Sequence, residues 1–169
     1  MNALVPGSFD PITLGHVNII ERASKMFDKV YVAVMNNDSA KYDATLSSKV
    51  NTFTNEERLE MVRLSISHIK NAEAVYFEGM LIDACDKYDI NAVVRGVRDA
   101  KDFEYEMIHA AWNKAHNERA EALFMPADPK FNNISSSYVK SVLNEGRDVE
   151  NLCGILHNNV IEYIKNIRY

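Results

Sequence analysis

The chain is poor in cysteine. Its 169 residues include two, Cys85 and Cys153, in unrelated segments with no paired spacing. That argues against a disulfide framework or a cysteine metal site and predicts buried, reduced thiols in a cytoplasmic protein. No apolar run approaches the ~20 residues of a membrane span. The N-terminus has no basic stretch followed by an apolar one, as an export signal would. There is no excess of positive charge: 19 Lys and Arg stand against 24 Asp and Glu, for a net charge of −5. This disfavours a protein whose main business is binding nucleic acid or membrane surfaces. Internal repeats, low-complexity segments and domain boundaries are also missing. What remains, 47% hydrophobic and 25% charged, is the composition of one globular domain spanning residues 1–169.

The most informative stretch is the first loop, Pro6-Gly7-Ser8-Phe9-Asp10-Pro11-Ile12-Thr13-Leu14-Gly15-His16. An apolar run, Ala3 to Val5, precedes it, and helical periodicity from Val17 to Phe27 follows. Pro6-Gly7 is a turn dipeptide, and Gly7 permits close approach of the backbone to a ligand. Gly15-His16 falls where the helix begins, and a helix N-terminus favours phosphate. Ser8 and His16 therefore flank an anion site. Helix-start polarity should also disfavour the imidazolium form of His16.

Further along, Val30 to Val34 reads as a central parallel strand. Residues 36–52 form a long polar connection, of a length that is usually functional or disordered. Thr54 and Glu57 form a capping box, and the helix it opens carries Leu59, Val62 and Ile66 on one face. Ala74 to Phe77 is a strand, Leu81 to Tyr88 a short helix, and Ala92 to Val94 a strand ending at Arg95-Gly96. A helix from Asp102 to about Asn117 should turn Phe103, Met107, Ala110, Ala111 and Trp112 towards the core. Ala122 to Met125 is the last strand. Ser135 or Ser136 caps a helix through Leu143, with Gly146 just past its end. Residues 149–167 read as a helical tail with Leu152, Leu156, Val160, Ile161 and Ile164 as its apolar stripe. Five strands alternating with helices predict an α/β fold, an open, doubly wound, parallel five-stranded sheet. Ligands of such sheets sit beyond the carboxyl ends of the strands, where the unusual residues of this chain collect.

Two more clusters carry chemistry. Arg95-Gly96-Val97-Arg98 follows a strand, and arginine forks suit phosphate. The alternative is two surface arginines paired with Asp99, Asp102 or Glu106. Glu104 and Glu106 are two apart on a helix, so they face differently and do not form an acid pair on one substrate atom. Asn132-Asn133-Ile134-Ser135-Ser136-Ser137 sets three hydroxyls at a helix start, where capping alone requires one.

The first loop resembles the signature of the nucleotidyltransferase superfamily, whose Gly-His pair grips a nucleotide triphosphate. Together with Arg95-Gly96-Val97-Arg98, Asp102-Phe103-Glu104-Tyr105-Glu106-Met107 and Ile134-Ser135-Ser136-Ser137-Tyr138-Val139-Lys140, it resembles the phosphopantetheine adenylyltransferases, in order and spacing from Pro6 to about Lys140. The resemblance implies a Rossmann-like nucleotidyltransferase fold and a cytoplasmic enzyme of coenzyme A biosynthesis. The reaction it implies is reversible transfer of the adenylyl group of ATP to 4′-phosphopantetheine, giving dephospho-coenzyme A and pyrophosphate. Coenzyme A would be a related ligand or inhibitor, Mg²⁺ would accompany ATP, and the assembly would be a homohexamer.

Residue by residue, the resemblance puts Ser8 against both substrates, the Phe9 backbone on the nucleotide and His16 on the α-phosphate. Arg95 and Leu81 would hold the acceptor. Gly96, Val97, Arg98, Glu106 and the run Phe131, Asn132, Asn133, Ile134, Ser135, Ser136 and Ser137 would line the ATP site. The family also places a lysine after the second strand. Lys41 keeps the spacing from Val34, whereas Lys49 keeps the spacing to Phe53-Thr54. Lys49 is preferred, because a capped helix fixes the residues just before it. Asp99 stands where the family commonly has a small residue.

The acceptor is already a phosphate, hence a competent nucleophile at neutral pH. Catalysis then rests on aligning two anions and neutralising the α-phosphate, with His16, Lys49 and Arg98 as the catalytic set. Two rivals remain at this point: a nucleotidyltransferase with another acceptor, such as nicotinamide mononucleotide, and a non-catalytic nucleotide-binding module on the same fold.

Overall fold

The computed structural model describes residues 1–36 and 51–168. Five parallel strands form one sheet: β1 (Asn2–Gly7), β2 (Lys29–Val34), β3 (Ala72–Tyr76), β4 (Ile90–Val97) and β5 (Ala122–Pro126). Their order is β3-β2-β1-β4-β5. The chain builds outward from β1 to β3, then crosses back so that β4 lies on the other side of β1. The predicted α/β sheet is thus present, and its direction of growth reverses between β1 and β4.

Side chains alternate across the sheet with period two. Ala3 and Val5 of β1, Val30, Val32 and Val34 of β2, and Ala92 and Val94 of β4 enter the larger core. Leu4, Ala33 and Val93 enter a smaller one on the opposite face. The larger core is covered by α1 (Leu14–Ser24), α2 (Asn55–Ile66), α5 (Ser136–Asn144) and α6 (Asn158–Arg168), and the smaller by α3 (Leu81–Lys87). α4 (Ala100–His116) lies beside β4 and β5.

Local signals explain where the helices start. The capping box at α2 is formed: Thr54 N–H donates to Glu57 Oε2 at 2.7 Å, and Glu57 N–H to Thr54 Oγ1 at 3.2 Å. Ser135 Oγ accepts from Tyr138 N–H at 3.1 Å and caps α5, and Gly146 beyond its end has φ +66°. Each such cap is worth about 1 kcal/mol. Asp99 caps α4 by accepting from Asp102 N–H at 2.9 Å, which gives a local reason for a carboxylate at that position.

Three expectations need correction. The core-facing stripe of α4 is not in the core: no residue of this helix is buried, and Phe103, Met107 and Trp112 are each more than 40% exposed. Periodicity finds an apolar stripe but not what covers it. The tail is not one helix over 149–167. A 3₁₀ turn, Val149–Leu152, is separated from α6 by a link in which Gly154 has φ +79°. Leu152, Leu156, Val160, Ile161 and Ile164 are nevertheless all buried, so the stripe holds across the break. Finally, Cys85 is buried but Cys153 is exposed. Burial pushes the Cys85 thiol up to about 11, so it is unreactive at neutral pH.

Candidate active site

The reversal between β1 and β4 opens a crevice at the carboxyl ends of these strands, the place where such sheets bind ligands. A cavity of about 260 Å³ lies there, lined by Pro6, Gly7, Ser8, Phe9 and His16 from the first loop and α1, and by Arg95, Gly96 and Glu106 from β4 and α4. Six of the predicted site residues therefore meet in one cavity, although they are spread over about a hundred positions of sequence.

The first loop owes its shape to packing as well as to turn chemistry. A Cβ on Gly7 would stand 2.9 Å from Cζ of Phe9, so this glycine makes room for the Phe9 ring. Phe9 is buried and has φ +45°, a region that L-residues occupy at a cost. Its ring meets that of His16 edge to face at a centroid distance of 5.3 Å. A Cβ on Gly96 would likewise press on Ile19 at 3.0 Å, so β4 and α1 approach closely only with glycine there.

The ring of His16 is oriented from its own helix start. Thr13 N–H donates to Nδ1 at 3.0 Å, so Nδ1 is the acceptor and Nε2 carries the proton of the neutral ring. The imidazole is lowered from 6.5 to about 4, first by burial and then by the charges of Arg98 and Arg95. The expected neutral ring is thus supported, with burial and the two arginine charges as causes. One donor of that helix start is already committed, since Leu14 N–H bonds the Ile155 carbonyl at 2.8 Å.

The two arginines differ. Arg95 meets Glu106 through two 2.6 Å contacts, Nε to Oε2 and Nη2 to Oε1, while its Nη1 donates to the Pro6 carbonyl at 3.1 Å. The guanidinium therefore links β4 to α4 through Glu106 and to β1 through Pro6. Arg98 is exposed, pairs with Asp102 at 2.7 and 3.1 Å, and lies outside the cavity lining while still acting on His16. Both arginines thus have carboxylate partners, the alternative raised by the sequence, and both also bear on the candidate site. Glu106 faces the cavity and Glu104 is exposed, as residues two apart on a helix should.

The remaining candidates are more dispersed. Leu81 opens α3 and packs on the smaller core. Val97 ends β4, on the side of β5. Phe131 closes a 3₁₀ turn, Pro129–Phe131, that lies near Gly15. Asn132, Asn133 and Ser137 are exposed, and Ile134 is partly buried. Of the serines, Ser135 caps α5 and Ser136 Oγ donates to the Pro11 carbonyl at 2.8 Å, fastening α5 to the first loop. Lys41 and Lys49 lie outside the described residues.

Three residues with no assigned role, Asp10 in the loop itself and Arg58 and Lys140 outside it, fasten this loop to its surroundings. Asp10, almost wholly buried, accepts from Thr52 N–H and Phe53 N–H at 3.0 Å and pairs with Lys140 at 3.2 Å. Arg58 of α2 donates to the Ser8 carbonyl. The readable signal for Arg58 was a charged residue four positions before Val62 and eight before Ile66, on the buried stripe of α2.

Comparison with known proteins identifies the family. Residues 4–142 match the cytidylyltransferase-like family. The chain is 40% identical over 147 residues to a phosphopantetheine adenylyltransferase of Staphylococcus carnosus (strain TM300), covering 87% of this chain and 86% of that protein. It is 38% identical over the same shares to that of Staphylococcus haemolyticus (strain JCSC1435). The chain belongs to the phosphopantetheine adenylyltransferase family. The fold is shared more widely. A Vibrio parahaemolyticus crystal structure, described as a nicotinate-nucleotide adenylyltransferase, superposes with TM-score 0.65 at 18% identity, covering 98% of this chain and 91% of that one. As a member of the phosphopantetheine adenylyltransferases, the chain is a nucleotidyltransferase, and the reading as a non-catalytic module falls away.

Proposed function

We propose that this chain transfers the adenylyl group of ATP to 4′-phosphopantetheine, forming dephospho-coenzyme A and pyrophosphate in coenzyme A biosynthesis. The observation that carries the reading is the single cavity joining Ser8, Phe9 and His16 to Arg95, Gly96 and Glu106, in a chain of this family. An oxygen of the acceptor phosphate attacks the α-phosphorus of ATP, the bond from that phosphorus to the bridging oxygen breaks, and pyrophosphate leaves. The atoms balance without an enzyme nucleophile or a strong base, and the reverse reaction uses the same contacts.

The neutral Nε2–H of His16 donates to the charge developing on the α-phosphate, the role in which a preorganised donor contributes most. Arg95 offers the acceptor phosphate a cation that lines the cavity. Ser8 serves both substrates and the Phe9 backbone the nucleotide. Arg98, Gly96, Val97, Glu106 and the stretch from Phe131 to Ser137 serve the nucleotide, Leu81 the acceptor, and Lys49 the phosphates of both. Mg²⁺ would accompany the triphosphate of ATP and would be held mainly by phosphate and water. Among the described residues no cluster of three or more His, Cys, Asp or Glu stands ready for a metal.

The same reading makes the protein a homohexamer. The exposed face of α4 supports self-association, since Tyr105, Ile108 and Trp112 form an apolar surface of a kind that monomers seldom leave bare. Among the described residues no helix is long and apolar enough to cross a membrane, which is compatible with a cytoplasmic site of action. The experiment is to measure pyrophosphate release on mixing ATP with 4′-phosphopantetheine, or with nicotinamide mononucleotide. Faster release with the first is expected, and faster release with the second overturns the acceptor assignment.

A further inference from the structure

Among the described residues, the side chain of Arg58 is the largest to be fully buried, with 0% exposure. Burying a guanidinium is costly, and an apolar residue of similar volume often serves stability as well or better. Its partners suggest what the charge is for. Nη1 donates to the Ser8 carbonyl at 2.5 Å and reaches the Met35 carbonyl at 3.4 Å. Nη2 donates to Asn36 Oδ1 and Asn55 Oδ1, both at 2.5 Å. Nε is buried with no partner among the described residues. All four acceptors are neutral oxygens, and two of them are carbonyls just past the ends of β1 and β2. Among the described residues the group therefore has no carboxylate in an ion pair with it. It is a rigid fork spanning two adjacent strand ends, one of which carries the first loop.

The Ser8 carbonyl belongs to the peptide that also holds the Phe9 N–H. In a trans peptide the two point in opposite directions. Drawing the carbonyl inward, towards α2, turns the Phe9 N–H outward, away from Arg58, in a loop whose Ser8 and Phe9 line the cavity. No acceptor among the described residues takes that N–H. Phe9 sits at φ +45°, a conformation that needs to be held by its surroundings.

We propose that Arg58 is a positioning residue for the nucleotide, fixing the Ser8–Phe9 peptide so that its N–H faces the phosphates of ATP. The inference rests on the adenylyl-transfer reading for the identity of the ligand, but its test needs only nucleotide binding. Lysine at this position keeps the charge and loses the fork, and so cannot hold both strand ends.

The test compares wild type, Arg58→Lys and Asn36→Ala by ATP dissociation constant, KM for 4′-phosphopantetheine and melting temperature. In folded Arg58→Lys, ATP binding weakens at least 10-fold while the acceptor KM changes less than threefold. Equal loss for both substrates, or unchanged ATP binding, overturns the proposal. If Arg58→Lys does not fold, Asn36→Ala decides, since it removes one of the two acceptors of Nη2 at a partly buried position. An increase of threefold or more in its ATP dissociation constant upholds the role, and wild-type binding overturns it. Wild-type protein that binds ATP but releases no pyrophosphate with 4′-phosphopantetheine sinks the acceptor reading and leaves this inference standing on the binding data.

Discussion

Arg95 and Glu106 both line the cavity and are joined by two 2.6 Å contacts between fork and carboxylate. One comes from β4 and the other from the second turn of α4, so the pair ties strand to helix. It also fixes the direction of the one arginine that lines the cavity. With Nη1 on the Pro6 carbonyl, the guanidinium is held at three points before any substrate arrives. Preorganisation of this kind reduces what must be ordered on binding.

Replacing Arg95 by alanine should therefore damage use of the acceptor far more than use of ATP. Losing a charged hydrogen bond costs about 1.5–3 kcal/mol, roughly 10- to 150-fold in kcat/KM for 4′-phosphopantetheine. Steady-state kinetics with each substrate varied in turn checks this. A larger defect for ATP would assign Arg95 to the nucleotide instead.

His16→Ala should lower kcat by ~10²–10³ and leave both KM values nearly unchanged, as when one transition-state donor is lost. Near-normal turnover in a folded variant would remove the imidazole from the mechanism.

The protonation of His16 can be followed directly. Its folded value of about 4 lies below the ordinary 6.5. Between these two pH values the unfolded chain binds the proton and the folded chain does not. Stability contributed by the neutral ring is thus present at and above pH 6.5 and lost as pH falls towards 4. An imidazole NMR titration should show His16 neutral at pH 6 with the proton on Nε2. Arg98→Ala should move the midpoint upward, because a neighbouring positive charge has gone. A wild-type midpoint near 6.5 would contradict the enclosed, arginine-flanked ring.

Of the two loop lysines, Lys49→Ala should reduce kcat/KM for both substrates by about 10-fold or more, the worth of a charged contact, while Lys41→Ala changes little. The reverse pattern would transfer the role to Lys41, and two unaffected variants would take lysine out of the reaction.

Self-association through α4 predicts that Ile108→Glu yields a smaller species by size exclusion with light scattering. Its melting temperature should fall only by whatever the assembly contributed. Ile108 is 66% exposed in the single chain, so the substitution leaves the monomer core intact. A wild-type protein that runs as a monomer would refute this use of the face.

Much of the molecule was legible in the residues alone. Buried β-branched runs marked the strands, Thr54 with Glu57 marked a helix start, and His16 and Arg95-Gly96 marked the ends that line the cavity. These are local signals, carried within a few residues by backbone sterics, capping and period. Only the tertiary structure decided what each stripe packs against. It left the apolar face of α4 bare and broke the tail at Gly154 while keeping its leucines buried. It set Glu106 on Arg95, and turned Arg58 inward to hold a carbonyl fifty positions away. Such pairings join strand ends that are neighbours only once the sheet has formed. No periodicity along the chain records them, because a side chain's partner across a crevice is fixed by topology and not by sequence distance.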